Sequence, residues 1–90
     1  MNSPEIDDLI NALKETEVAI KRADKLIETI GNEELKDYYN LRLLQMIDCY
    51  KFSSEILKEA LEVFFDEEKK ENFPANLYYR RVYKSIIQRA

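Results

Sequence analysis

Residues 27–35 read Ile27-Glu28-Thr29-Ile30-Gly31-Asn32-Glu33-Glu34-Leu35, and the reading of this stretch decides the fold. Gly31 is the only glycine of the chain, and with Asn32 it forms the residue pair that most often closes a helix. Asn32 equally suits the start of the next helix, because its side-chain oxygen can accept a first-turn N–H, and Glu33 and Glu34 then lie at the positive end of the helix dipole. One helix stops and another starts here, so the chain folds back as an antiparallel hairpin.

Working upstream, Ser3 is an N-cap and Pro4 takes the first helical position, where a missing N–H costs nothing. From there the apolar residues hold a seven-residue register: Ile6, Leu13, Ile20 and Ile27 on one seam position, Leu9, Thr16, Ala23 and Ile30 on the other. Ala12, Ala19 and Leu26 widen the stripe beyond a two-stranded seam. Thr16, Ala19 and Ala23 make the middle narrow, so that a bulky side chain of another helix can lie close.

Downstream of the turn, a second helix is predicted to about Lys70. Leu35, Tyr38, Tyr39, Met46, Cys49, Ser53, Ile56, Leu57, Ala60 and Phe64 fall on one side at ~100° per residue, and Lys36, Asp37, Asn40, Lys51, Glu55, Lys58 and Glu62 on the other. Two residues break this pattern. Arg42 lands within the apolar face and needs a partner; an antiparallel hairpin puts Asp24 in range. Leu44 points into the charged face, with Leu41 and Ile47 at its margins. Either a covering surface takes this side, which makes Leu41, Leu44 and Ile47 a candidate protein interface, or the helix breaks near Asn40 and restarts in a new phase.

The run Asp66-Glu67-Glu68-Lys69-Lys70-Glu71-Asn72 is polar all round and reads as a solvated helix end. Pro74 then opens a third helix, with Tyr78, Tyr79, Val82, Tyr83, Ile86 and Ile87 on one broad face and Arg80, Arg81, Lys84 and Gln88 opposite or at its rim. The charge is split. Met1 to Phe73 hold ten basic and eighteen acidic residues, whereas Pro74 to Ala90 hold Arg80, Arg81, Lys84 and Arg89 and no acid. A basic end behind an acidic body can fold back on it, meet an acidic partner or touch a phosphate backbone. Arg42, Arg80, Arg81, Lys84 and Arg89 are the candidate anion or partner contacts.

Much chemistry is excluded. The chain has no histidine, so the commonest general base and metal ligand is missing, and with it the Ser-His-Asp and Cys-His arrangements and the Glu-x-x-His di-metal bundles. One glycine cannot form a glycine-rich phosphate loop. Cys49 is the only cysteine, which excludes an internal disulfide, points to a reducing compartment, and predicts an inert small hydrophobe on the apolar face. With no leader-like N-terminus and no run near the ~18 apolar residues of a membrane span, the expectation is a cytoplasmic protein without a membrane segment, cofactor or metal.

In outline, a long first helix and a C-terminal helix entered near a proline, the chain resembles the short all-helical chorismate mutases, helical dimers whose arginines and lysines hold a dianionic substrate. Their pattern spaces arginines along the first helix. Here that seam carries Ile6, Leu13, Ile20 and Ile27, with Arg22 alone nearby on another side.

The sequence therefore predicts one all-α domain over residues 1–90, a three-helix bundle built on a long hairpin (about 4–30 and 33–70) and a shorter C-terminal helix (about 74–90). Ninety residues bury only somewhat over ~60% of their unfolded surface, and the thin core favours association. The expected function is non-enzymatic: a regulator or adaptor that binds another protein, a second copy of itself included. The alternatives are a nucleic-acid-binding regulator using the basic C-terminal helix and a small helical enzyme binding an anionic substrate.

Overall fold

Ser3 opens the first helix as its side chain requires: its Oγ accepts the Ile6 N–H at 3.3 Å, and Pro4 follows in the first turn. The computed structural model describes residues 2–89 and contains α1 (Pro4–Glu28), α2 (Glu33–Glu71) and α3 (Leu77–Arg89). Among the described residues there is no strand, and no helix is long and apolar enough to cross a membrane.

The hairpin turn forms where expected, by a different device. Thr29, in a right-handed conformation, caps α1 through its N–H to the Leu26 carbonyl at 3.1 Å. Gly31 does not adopt a positive φ, so the conformational freedom that suggested a glycine cap is unused. Asn32 does cap α2, its Oδ1 accepting the Leu35 N–H at 3.0 Å.

α2 runs unbroken through Asn40 for 39 residues, so Leu44 does not mark a change of phase. At ~1.5 Å per residue it spans the whole 58 Å length of the molecule. It ends at Asn72, whose left-handed φ of 58° lets its N–H reach the Glu68 carbonyl. Pro74 lies in the connection rather than in a first turn. The start of α3 is fixed instead by Asn76, whose Oδ1 accepts the Tyr79 N–H at 3.0 Å.

The α2 face that meets α1 is rotated from the face drawn on hydropathy. Leu43, Leu57 and Leu61 are the buried apolar residues of α2, while Leu35, Tyr38, Tyr39, Cys49 and Ile56 are exposed. The inward line is Leu43, Ile47, Tyr50, Ser54, Leu57, Leu61, Phe64 and Glu68, alternating steps of four and three. The main core joins Ile6, Ile10 and Leu13 of α1 to Leu57 and Leu61 of α2 and Tyr79 of α3. Each leucine so buried contributes about 1.5–3 kcal/mol. α3 runs back along α2, with Phe64 edge-on to Tyr79 at 5.0 Å and Phe65 edge-on to Tyr83 at 5.5 Å. It stops at Arg89, level with Glu17 and Tyr50. Beyond that point the hairpin is two helices thick, held inside by Ile27 and Leu43.

Candidate protein-interaction surface

What positions the surface is a polar lock at the base of the bundle. Glu68, read from sequence as part of a solvated helix end, is only 4% exposed. Its Oε2 accepts the Asn76 N–H at 2.6 Å, and Arg80 Nη2 lies 3.6 Å from its Oε1. Next to it the Tyr79 hydroxyl, 1% exposed with its residue, donates to Asp7 Oδ1 at 2.6 Å and accepts the Ser3 N–H at 2.8 Å. Asn76 Nδ2 donates to Asn2 Oδ1 at 2.7 Å. Three separate stretches of chain, residues 2–7, the end of α2 at Glu68 and residues 76–80, meet here and satisfy one another's polar groups. Burial, and then the hydrogen bond to Asp7, raise the Tyr79 hydroxyl above its ordinary pKa.

The lock seats α3 on one side of the hairpin, and its cations meet the acidic body. Arg80 lies over the Phe65 ring at 4.6 Å as well as beside Glu68. Arg89 donates to Tyr50 at 2.9 Å and to Glu17 at 3.4 Å. Burial works to raise the Glu17 carboxyl, but the charge and hydrogen bond of Arg89, with Lys21 adding to them, bring it below its ordinary value; Glu17 in turn raises Arg89. Among the described residues no ion pair includes Arg81 or Lys84. The tyrosines divide. Tyr79 is buried and Tyr83 half-buried with its hydroxyl on Glu62 at 2.9 Å, whereas Tyr78 is 41% exposed and takes a hydrogen bond from Lys14 at 2.8 Å. Ile87, expected inside, is exposed.

The other side of the hairpin and its tip have no third helix. A groove of about 380 Å³ runs between α1 and α2 there, walled by Ala23, Leu26, Ile27, Ile30, Tyr39, Leu43 and Met46, with Arg42 its one charged residue. Leu26 is 68% exposed. Arg42 does not pair with Asp24: it is exposed, donates to Gln45 Oε1 at 3.3 Å and lies 5.7 Å from the Tyr38 ring centre. The expectation of an ion pair assumed that the apolar face around Arg42 was covered, and it is open. Cys49 is exposed on that same face rather than packed away.

Leu41 and Leu44 lie on α2 beyond the end of α3 and are 57% and 58% exposed. Ile47, four residues on from buried Leu43, is half-buried on the inward line. The structure thus brings Leu41 and Leu44 to the surface together and turns Ile47 toward the hairpin interior. Sequence reasoning missed the open groove and the buried carboxylate of Glu68. A signal for the groove was present in the width of the apolar arc of α2, which exceeds what one neighbouring helix can cover. Comparison with known protein families, with curated proteins and with solved structures finds no match to this chain.

Proposed function

We propose that the chain is a helical protein-binding module, a regulator or adaptor of the cytoplasm, that works by presenting the uncovered part of its hairpin to another protein. The observation that carries this reading is the apolar exposure of the two-helix tip: Leu26, Leu35, Tyr38, Leu41 and Leu44 are each between 46% and 68% exposed. Scattered exposed leucines need no explanation, but several gathered at one end of the hairpin, on both of its sides and with Leu26 lining the groove, are the mark of a binding surface. The lone exposed thiol of Cys49 fits a reducing compartment.

Photo-crosslinking from Leu26 and Tyr39 in the native cell tests the reading. The expected result is adducts with a defined protein that disappear when Leu44→Glu or Leu26→Asp is added. Crosslinks confined to probes on α3 would overturn it.

A second reading rests on Arg81 and Lys84, which remain for a phosphate backbone once Arg80 and Arg89 are engaged. Two cations give a shallow salt dependence and weak binding. Titration with labelled DNA and RNA at physiological salt decides: submicromolar binding lost in Arg81→Glu, Lys84→Glu would promote this reading over the first.

A further inference from the structure

α2 carries two heptad stripes, one residue apart. The inward stripe passes through Leu43, Tyr50, Leu57 and Leu61. The second begins at Arg42, continues through Met46, Cys49, Ser53, Ile56, Ala60 and Val63, and ends at Glu67, in the same alternating steps of four and three. A shift of one residue turns it ~100° around the helix, away from the side where Phe65 and Glu62 meet α3. Met46 is 37%, Ile56 45% and Val63 63% exposed, and Cys49 is exposed as well. A period of 3.5 kept over this length is the pattern of a helix that packs along another helix; Ala60 borders the main core and Ser53 is half-buried, but among the described residues no helix covers the stripe as a whole.

The ends of the stripe identify the occupant. Among the described residues Arg42 is in no ion pair, and Glu67 pairs only with Lys70 of its own helix, 3.9 Å away and exposed. Between them the stripe is uncharged. Resting on the reading as a protein-binding module, we propose that the partner is a second copy of this chain, with α2 packed antiparallel on α2 about a two-fold axis that passes midway between Arg42 and Glu67. Each Arg42 then meets Glu67 of the other copy at both ends of the contact. The layers between become Met46 on Val63, Cys49 on Ala60 and Ser53 on Ile56, so that a small residue in the two central layers lets the backbones approach. A parallel pairing would set Arg42 on Arg42 and Glu67 on Glu67, which like-charge repulsion opposes. The contact extends over about 37 Å of helix, and its two-fold symmetry closes it at two copies.

The experiment is sedimentation equilibrium of the full chain from low to high micromolar concentration, together with charge reversal at these exposed positions. Wild type is expected to dimerise. Arg42→Glu and Glu67→Arg should each weaken the dimer by about tenfold or more, with helicity unchanged, and the double reversal should restore it to within about threefold of wild type. Ala60→Cys, which retains Cys49, should give a cross-linked dimer on mild oxidation, while wild type should not, because the two Cys49 residues lie about 16 Å apart along the axis. A wild type that stays monomeric at high micromolar concentration overturns the proposal; adducts with a different protein at the tip would still leave the module reading standing. Cross-linking of wild-type Cys49 to itself, or a double reversal no better than the single ones, overturns the antiparallel register.

Discussion

Tyr79→Phe removes one oxygen from the most buried aromatic residue and leaves its ring contact with Phe64 in place. The loss can be worked from the geometry. The hydroxyl donates to the Asp7 carboxylate at 2.6 Å and accepts the Ser3 N–H at 2.8 Å. A hydrogen bond to a charged group is worth about 1.5–3 kcal/mol, and a neutral one about 1. Asp7 and Ser3 are only half-buried, so water takes up part of what the hydroxyl leaves behind. The expected cost is about 2 kcal/mol, a large fraction of the stability of a domain this small. Urea denaturation followed by circular dichroism measures it, at one fixed protein concentration because association would shift the midpoint. Adding Asp7→Asn to Tyr79→Phe should cost about 1 kcal/mol less than the sum of the two single changes. A loss below about 0.5 kcal/mol, or strict additivity, would refute the claim that this hydroxyl ties the start of α1 to α3.

The remaining expectations concern the same lock and the turn. Because Tyr79 titrates above its ordinary value in the fold, the unfolded chain loses that proton first, so its stabilising effect is complete below pH about 10 and declines above it; Tyr83, raised by its hydrogen bond to Glu62, acts in the same direction. Alkaline unfolding scans should show a smaller decline for Tyr79→Phe than for wild type. Glu68→Ala leaves the buried Asn76 N–H without its acceptor and should cost about 2–3 kcal/mol, while Glu68→Gln, which keeps an acceptor oxygen, should cost about 1; equal losses in denaturant would show that charge rather than hydrogen bonding matters there. Gly31→Ala should stabilise by about 0.4–1 kcal/mol, since φ is not positive and a Cβ meets nothing within 4 Å. Destabilisation on a thermal scan would contradict that geometry.

Local signals in the sequence carried the helical architecture. Ser3 with Pro4, and Asn32 with the two glutamates after it, act within one turn of the residues that announce them, and both caps form. The phase of α2 was harder to read. Its apolar arc covers two adjacent heptad stripes, so hydropathy averages them into one broad face, and only the position of α1 decides that Leu43 and Leu61 go inside while Met46 and Ile56 stay out. Glu68 and Asn76 were illegible for another reason. A carboxylate becomes a buried acceptor only because an N–H from beyond the connection arrives beside it, and hydropathy periodicity, which reads each residue against its own helix, carries no signal for a contact across a turn. For the same reason Arg42 was assigned an acid that the open face does not require.

The unequal length of the helices has a consequence for how the molecule opens. α3 covers only the part of the hairpin up to Glu17 and Tyr50, so the base is three helices thick and the tip two. Amide protons near Leu57, Leu61 and Tyr79 should exchange only through global unfolding, whereas those from Val18 to Met46 should exchange through partial openings that leave the base intact. The tip is thus the part of the chain whose order a bound partner would increase, and a slowing of exchange confined to that end would report occupancy even where no backbone atom changes place.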